Sequence, residues 1–124
     1  LFPNVIEVLE YLQKKYILHI ITNGFEEVQE IKIKSNELDK YFTTITTSEE
    51  AGSKKPDLKI FNFALRKAGA IPEESLMVGD DLEVDIEGAK AASIDGLFCN
   101  FDNLSHNGKV TFEVKSFAEI KEIL

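Results

Sequence analysis

The sequence predicts an α/β fold, a doubly wound parallel sheet, and three observations predict it. Short apolar or β-branched runs at 16–21 (YILHII), 43–47 (TTITT), 76–78 (LMV) and 96–101 (GLFCNF) read as strands. Segments with helical spacing separate them, and alternating helix and strand means parallel strands joined by crossovers. No linker, repeat or low-complexity stretch divides the 124 residues, so one domain over 1–124 is expected.

Each element has a local reason. Residues 4–15 place Val5, Val8, Leu9 and Leu12 on one face, with Asn4 as N-cap. The run 16–21 is short and apolar, as a buried strand is; Thr22-Asn23-Gly24 breaks it, and 25–38 reads as a helix. The run 43–47 is β-branched throughout. Residues 48–56 (SEEAGSKKP) form a polar loop ending in Pro56. A helix over 57–69 puts Leu58, Phe61, Leu65 and Ala68 inward and Gly69 at its C-cap. After the strand at 76–78, a helix over 83–93 is rich in small residues (Gly88, Ala89, Ala91, Ala92) and can pack closely on a sheet. Residues 102–109 read as a loop, and Ser116 with Glu119 forms a capping box for a last helix over 117–123.

Totals exclude several function classes. Net charge is −8, so attraction to a phosphate backbone is not expected and nucleic acid is excluded as a partner. The single cysteine, Cys99, leaves no internal disulfide and fits a reducing compartment. No apolar run approaches the ~20 residues that span a bilayer. A cytoplasmic protein without a membrane partner is expected. The only Met is Met77, and the chain opens on Leu1-Phe2-Pro3.

In open parallel sheets, ligands bind beyond the carboxyl ends of the strands. Three polar groups fall there: Thr22-Asn23-Gly24; the loop with Ser53, Lys54, Lys55 and Pro56; and Gly79-Asp80-Asp81. Asp80, Asp81, Glu83 and Asp85 crowd into six positions. Two carboxylates about 4 Å apart at an effective dielectric of about 20 oppose each other by ~4 kcal/mol. Either water screens them and they cap a helix, or a cation sits among them. Gly79 lets the backbone turn tightly. Asp80, first off the strand, suits Mg²⁺ as a hard oxygen ligand, and Asp85 could hold a metal-bound water. Lys55 could neutralise a phosphoryl oxygen and bridge to Asp80, and Thr22 could donate its hydroxyl to another. Asn23 and Gly24 open a helix whose free N–H groups favour anions.

The plainer reading of each residue stands beside this. Thr22 and Asn23 suit a helix cap, Lys55 a solvated loop, and Asp81 and Glu83 a first helical turn without a ligand role. His19 reads as a packed or edge histidine, Cys99 as a small core residue, and His106 as a loop residue with no identifiable partner.

These stretches together resemble the haloacid dehalogenase (HAD) superfamily of hydrolases, especially its phosphatase and nucleotidase branches. Residues 17–24 (ILHIITNG) look like its second motif, 52–61 (GSKKPDLKIF) its third, and 76–89 (LMVGDDLEVDIEGA) its fourth. Residues 38–42 (LDKYF) and 112–124 (FEVKSFAEIKEIL) also fit. The resemblance implies a HAD-like Rossmannoid core and an Mg²⁺-dependent phosphatase acting on a small phosphorylated substrate, a nucleoside monophosphate or a sugar phosphate. It implies that Thr22 and Lys55 are catalytic and phosphate-binding, with Asn23 a further phosphate contact. Asp80 would ligate Mg²⁺ and Asp85 would act in its second shell. The acids favour a phosphatase over a dehalogenase, because carbon–halogen cleavage needs no metal.

One family motif is missing. The first strand of the family carries D-x-D, nucleophile and general acid/base. The Asp residues here are Asp39, Asp57, Asp80, Asp81, Asp85, Asp95 and Asp102, and no two are separated by one residue. The expectation is therefore a C-terminal core portion, lacking the first strand and the cap domain and inactive alone. The missing strand would lie between those ending at Thr22 and Gly79. Its loss should close the two together, leave a gap, or admit a strand from elsewhere, and an open edge there invites self-association. Two other classes compete. A response-regulator receiver has its acid pair early and Thr and Lys later, whereas the order here is Thr, Lys, acids. A non-catalytic interaction domain on the same scaffold also fits. A dinucleotide-binding domain does not, since G-x-G-x-x-G is absent.

Overall fold

The computed structural model describes residues 4–24 and 37–124. The helix expected at 25–38 lies almost wholly outside the described residues. The elements in order are α1 (Val5–Gln13), β1 (His19–Thr22), β2 (Thr44–Thr47), α2 (Ser48–Ala51), α3 (Leu58–Ala68), β3 (Leu76–Gly79), a π-helical turn (Leu82–Glu87) running into α4 (Gly88–Ala91), β4 (Asp95–Cys99), β5 (Phe112–Val114) and α5 (Ile120–Ile123). Every strand pair is parallel.

The strands fall into two sheets. β1 pairs with β2 in the register Thr22↔Thr47, and β3-β4-β5 form the other, with Gly79 opposite Phe98. Among the described residues no ladder joins β1 to β3. The break falls between the strands that end at Thr22 and Gly79.

The helical layers nevertheless span both sheets. Alternation along β4 sends Leu97 and Cys99 to one face, where they join Val8 and Leu12 of α1, Val114 of β5 and Ile120 of α5. Leu18, Leu76 and Val78 pack against this cluster. On the other side Ile60 and Phe61 of α3 meet Ala89 and Ala92, with Ile21 of β1 and Met77 of β3 against them. Residues flanking the break thus share both apolar clusters without sharing backbone bonds.

Several local expectations are corrected. Asn4 occupies the N-cap of α1 with a left-handed backbone, and its side chain makes no cap bond. Strand β1 begins at His19 because Tyr16 and Ile17 are exposed, Ile17 to 74%. In α3 the inward face is Ile60, Phe61 and Ala64, while Leu58 is 45% exposed. The polar loop 48–56 contains a helical turn, α2, capped by the Thr47 side chain accepting from Glu50 N–H at 3.1 Å. The helix expected over 83–93 opens as a π turn, with Asp85 and Ile86 N–H both donating to the Asp81 carbonyl, at 2.9 and 3.4 Å. Strand β5 is three residues long and carries no strong sequence signal. The last helix opens as a 3₁₀ turn, and Ser116 makes no cap bond to it; Ser116 Oγ instead lies 3.5 Å from Glu119 Oε1. Gly69 does close α3, with φ +66°.

Candidate active site

The carboxyl ends of β1, β2 and β3 carry the three polar groups expected there, and named contacts tie their loops together. Asn23, one residue past β1, holds the backbone of Lys55. Its Oδ1 accepts from Lys55 N–H at 2.7 Å, and its Nδ2 donates to the Lys55 carbonyl at 3.0 Å. Ser48, first past β2, donates from Oγ to the Gly24 carbonyl at 3.1 Å. The Lys55–Pro56 peptide is cis.

Lys55 reaches the third group. Its Nζ lies 2.7 Å from Asp85 Oδ1, and the two side chains are only 12% and 8% exposed. The bridge expected to Asp80 is therefore made to Asp85, one turn further on, where the π turn folds the carboxylate back under the strand end. Asp85 Oδ2 accepts from Asp81 N–H at 3.3 Å. The absent side chain at Gly79 makes room for this: a Cβ there would fall 2.4 Å from Asp85 Oδ2 and 2.5 Å from its Cβ. Gly88 does the same for the lysine loop. A Cβ on it would lie 2.7 Å from the Phe61 ring and 3.0 Å from Pro56 Cβ. Two glycines thus let the Lys-Pro loop and the acid turn approach closely.

The other acids divide by role. Asp81 caps the π turn, Oδ1 accepting from Val84 N–H at 2.9 Å, and Glu83 is exposed. Asp80 is exposed and has no partner among the described residues. Both it and Asp85 act on Cys99, whose thiol is pushed up to about 12, chiefly by burial and then by the charges of Asp80 and Asp85. Thr22 ends β1 half-buried at the same edge. The Ser53 hydroxyl, in the lysine loop, is buried with no partner among the described residues.

The donor set bears on a metal. Mg²⁺ is held through one or two carboxylates and keeps several waters. Asp80, exposed beside an acid already charge-paired, fits such an open, hydrated site. Among the described residues no cluster of three or more His, Cys, Asp or Glu forms a closed cage.

Two partnerships escaped sequence reasoning. Asn23 and Lys55 are 32 residues apart, and only the Asn type at a strand end hinted at a backbone-holding role. His106, without a partner in the sequence reading, sits 2.7 Å from Glu113 Oε1. His19, read as a packed or edge histidine, is half-buried with Nδ1 2.7 Å from Thr44 Oγ1, and burial lowers its pKa.

The fold is a parallel α/β core with a Thr, a Lys-Pro pair and a Gly-Asp turn at the carboxyl ends of its strands. The chain belongs to the haloacid dehalogenase-like hydrolase family, which matches residues 1–98. Glyceraldehyde 3-phosphate phosphatase of Methanothermobacter thermautotrophicus is 34% identical over 131 residues, covering 99% of this chain and 58% of that protein. Pyrimidine 5'-nucleotidase YjjG of Escherichia coli is 34% identical over 126 residues, covering 98% and 56%. The Bacillus subtilis HAD-hydrolase YfnB, solved bound to magnesium, superposes with TM-score 0.87 at 28% identity, covering 97% of this chain and 54% of that one. The chain spans a little over half the length of these relatives. Among the described residues no helix is long and apolar enough to cross a membrane.

Proposed function

We propose that these residues form the lysine and metal half of an Mg²⁺-dependent phosphatase acting on a small phosphate monoester. The observation that carries this reading is the Lys55–Asp85 pair at 2.7 Å beside an exposed, unpaired Asp80. Asp80 would ligate Mg²⁺, with Asp85 holding one of its waters. Bound there, the ion supplies positive charge against the phosphoryl oxygens and relieves the crowding of the acids. Lys55 Nζ, oriented by Asp85, neutralises a second phosphoryl oxygen. The Thr22 hydroxyl donates to a third. Asn23 contributes through Lys55, whose backbone it fixes on both sides.

In the intact parent enzyme the nucleophile is a carboxylate from outside these 124 residues. Its oxygen attacks phosphorus in line, the ester P–O bond breaks, and the leaving alkoxide takes a proton from a second acid. Water then hydrolyses the aspartyl-phosphate, releasing inorganic phosphate and restoring the carboxylate. Two relatives named for a triose phosphate and for pyrimidine nucleotides share one chemistry, a small phosphate monoester, and a nucleoside monophosphate falls within it.

The test is titration of the 124-residue chain with Mg²⁺ and inorganic phosphate, followed by backbone amide NMR. Shifts at Thr22, Lys55 and Asp80 that need both ligands are expected, with no catalytic release from an aryl phosphate. Silence at all three amides, or Mg²⁺-dependent multiple turnover by this chain, overturns the proposal.

A further inference from the structure

Asn100, the first residue past β4, is 2% exposed, and a buried amide must be bonded. Its Oδ1 accepts from Leu104 N–H at 2.7 Å. Its Nδ2 donates to the Leu104 carbonyl at 2.9 Å and to Glu113 Oε2 at 3.1 Å. Glu113, on β5, also meets His106 Nε2 at 2.7 Å and Lys115 Nζ at 2.8 Å. His106 Nδ1 accepts from Gly108 N–H at 3.1 Å. A backbone N–H can only donate, so Nδ1 is the acceptor here and Nε2 the donor toward Glu113.

This network reaches the acid turn by two routes. The His106 ring stands edge-on to Phe98, centroids 5.3 Å apart, and Phe98 is the strand partner of Gly79. Gly108 lies against Leu82, the second residue after Asp80; a Cβ on it would fall 3.1 Å from Leu82 Cδ2 and 3.4 Å from His106 Nδ1.

We propose that His106 is a positioning residue: held by Glu113, it clasps the loop 100–109 onto Leu82 and so fixes the turn that carries Asp80 and Asp85. Its relevance to catalysis rests on the metal reading above, but the clasp does not.

The test is amide hydrogen exchange by NMR on the 124-residue chain without metal. It reads protection at Asp81, Val84 and Asp85, whose N–H groups bond within the turn. In His106→Ala that protection should fall about fivefold, one hydrogen bond's worth, while Ile60 and Phe61 in α3 stay as in the native chain. His106→Gln keeps a donor and an acceptor, so its protection should stay close to native. Equal turn protection in the native chain and His106→Ala overturns the proposal, as does a loss in His106→Gln as large as that in His106→Ala. If His106→Ala loses α3 protection as well, the Gln comparison decides. Mg²⁺ titration of the native chain is read separately: its failure sinks the metal reading and leaves the clasp standing.

Discussion

Asn23 grips both backbone groups of Lys55, accepting from the N–H at 2.7 Å and donating to the carbonyl at 3.0 Å. The loop that presents the lysine is therefore fixed by a residue from another strand end, 32 positions earlier. Asn23→Ala removes both bonds. Each neutral hydrogen bond contributes roughly 1 kcal/mol, and Asn23 is exposed, so a loss of about 1–2 kcal/mol in urea unfolding is expected. Asn23→Asp keeps the acceptor and sets an oxygen against the Lys55 carbonyl, so it should recover at most half of that. A neutral Asn23→Ala would show that the loop is held by Pro56 packing alone.

Lys55 and Asp85 form a pair that is mostly out of water. Removing one partner strands the other charge, which costs about 3 kcal/mol in such settings. Lys55→Met and Asp85→Leu should each destabilise by that order, and the double variant by much less than their sum. A double-mutant cycle in urea measures the difference. An additive result would mean that the two side chains do not interact in solution.

Gly79 tests the same pair from below. A Cβ there would overlap Asp85 Cβ and Cγ as well as Oδ2, at 2.4–2.6 Å, so rotating the carboxylate cannot relieve it. Gly79→Ala must expel Asp85 from beneath the strand end. The expected loss is about 2–3 kcal/mol, the scale of an overpacked core site. In that background Lys55→Met should cost almost nothing further. A Lys55→Met penalty undiminished by Gly79→Ala would show that the acid turn accommodates a methyl without moving.

Much of this site was legible in the sequence because glycine and proline punctuate it. Gly79, Pro56 and the break at Thr22-Asn23-Gly24 marked strand ends, and the strand-end rule placed their polar neighbours on one edge. What sequence left open was pairing. Lysine reach spans several residues along a turn, so spacing alone could not choose Asp80 or Asp85; the π turn, set by two N–H groups on the Asp81 carbonyl, decides for Asp85. The three residues of β5 are too few for a period-2 signal. Leu58 counted as an inward position by helical spacing, yet the buried face of that helix is Ile60, Phe61 and Ala64, with Phe61 lying against Gly88.

Glu113 gives the stability a pH dependence of predictable sign. Hydrogen bonds from Lys115, then Asn100, then His106 hold its carboxyl down at about 2, against an ordinary 4.5. A group depressed by folding binds its proton more readily in the unfolded chain. Its stabilisation is complete above pH 4.5, and is lost as pH falls from there toward 2. Urea midpoints across that window should therefore drop more steeply for the native chain than for Glu113→Gln. Parallel curves would show that the network around Asn100 is not formed in solution.

The break between β1 and β3 yields the last prediction. Among the described residues each strand has a ladder on one side only at that boundary, and unpaired strand edges template association. The facing residues are apolar: Ile20 and Ile21 on one strand, Met77 and Val78 on the other, all half-buried. Net charge opposes contact, since each copy carries −8. The two effects have opposite salt responses. Screening shortens the reach of the repulsion to about 8 Å near physiological ionic strength and leaves backbone pairing untouched. Sedimentation velocity over micromolar to millimolar concentrations, the range in which such edges associate, should show average mass rising with protein and rising further with added NaCl. A strict monomer at every salt concentration would mean that the edges are covered, and the prediction of an open central edge would fall with it.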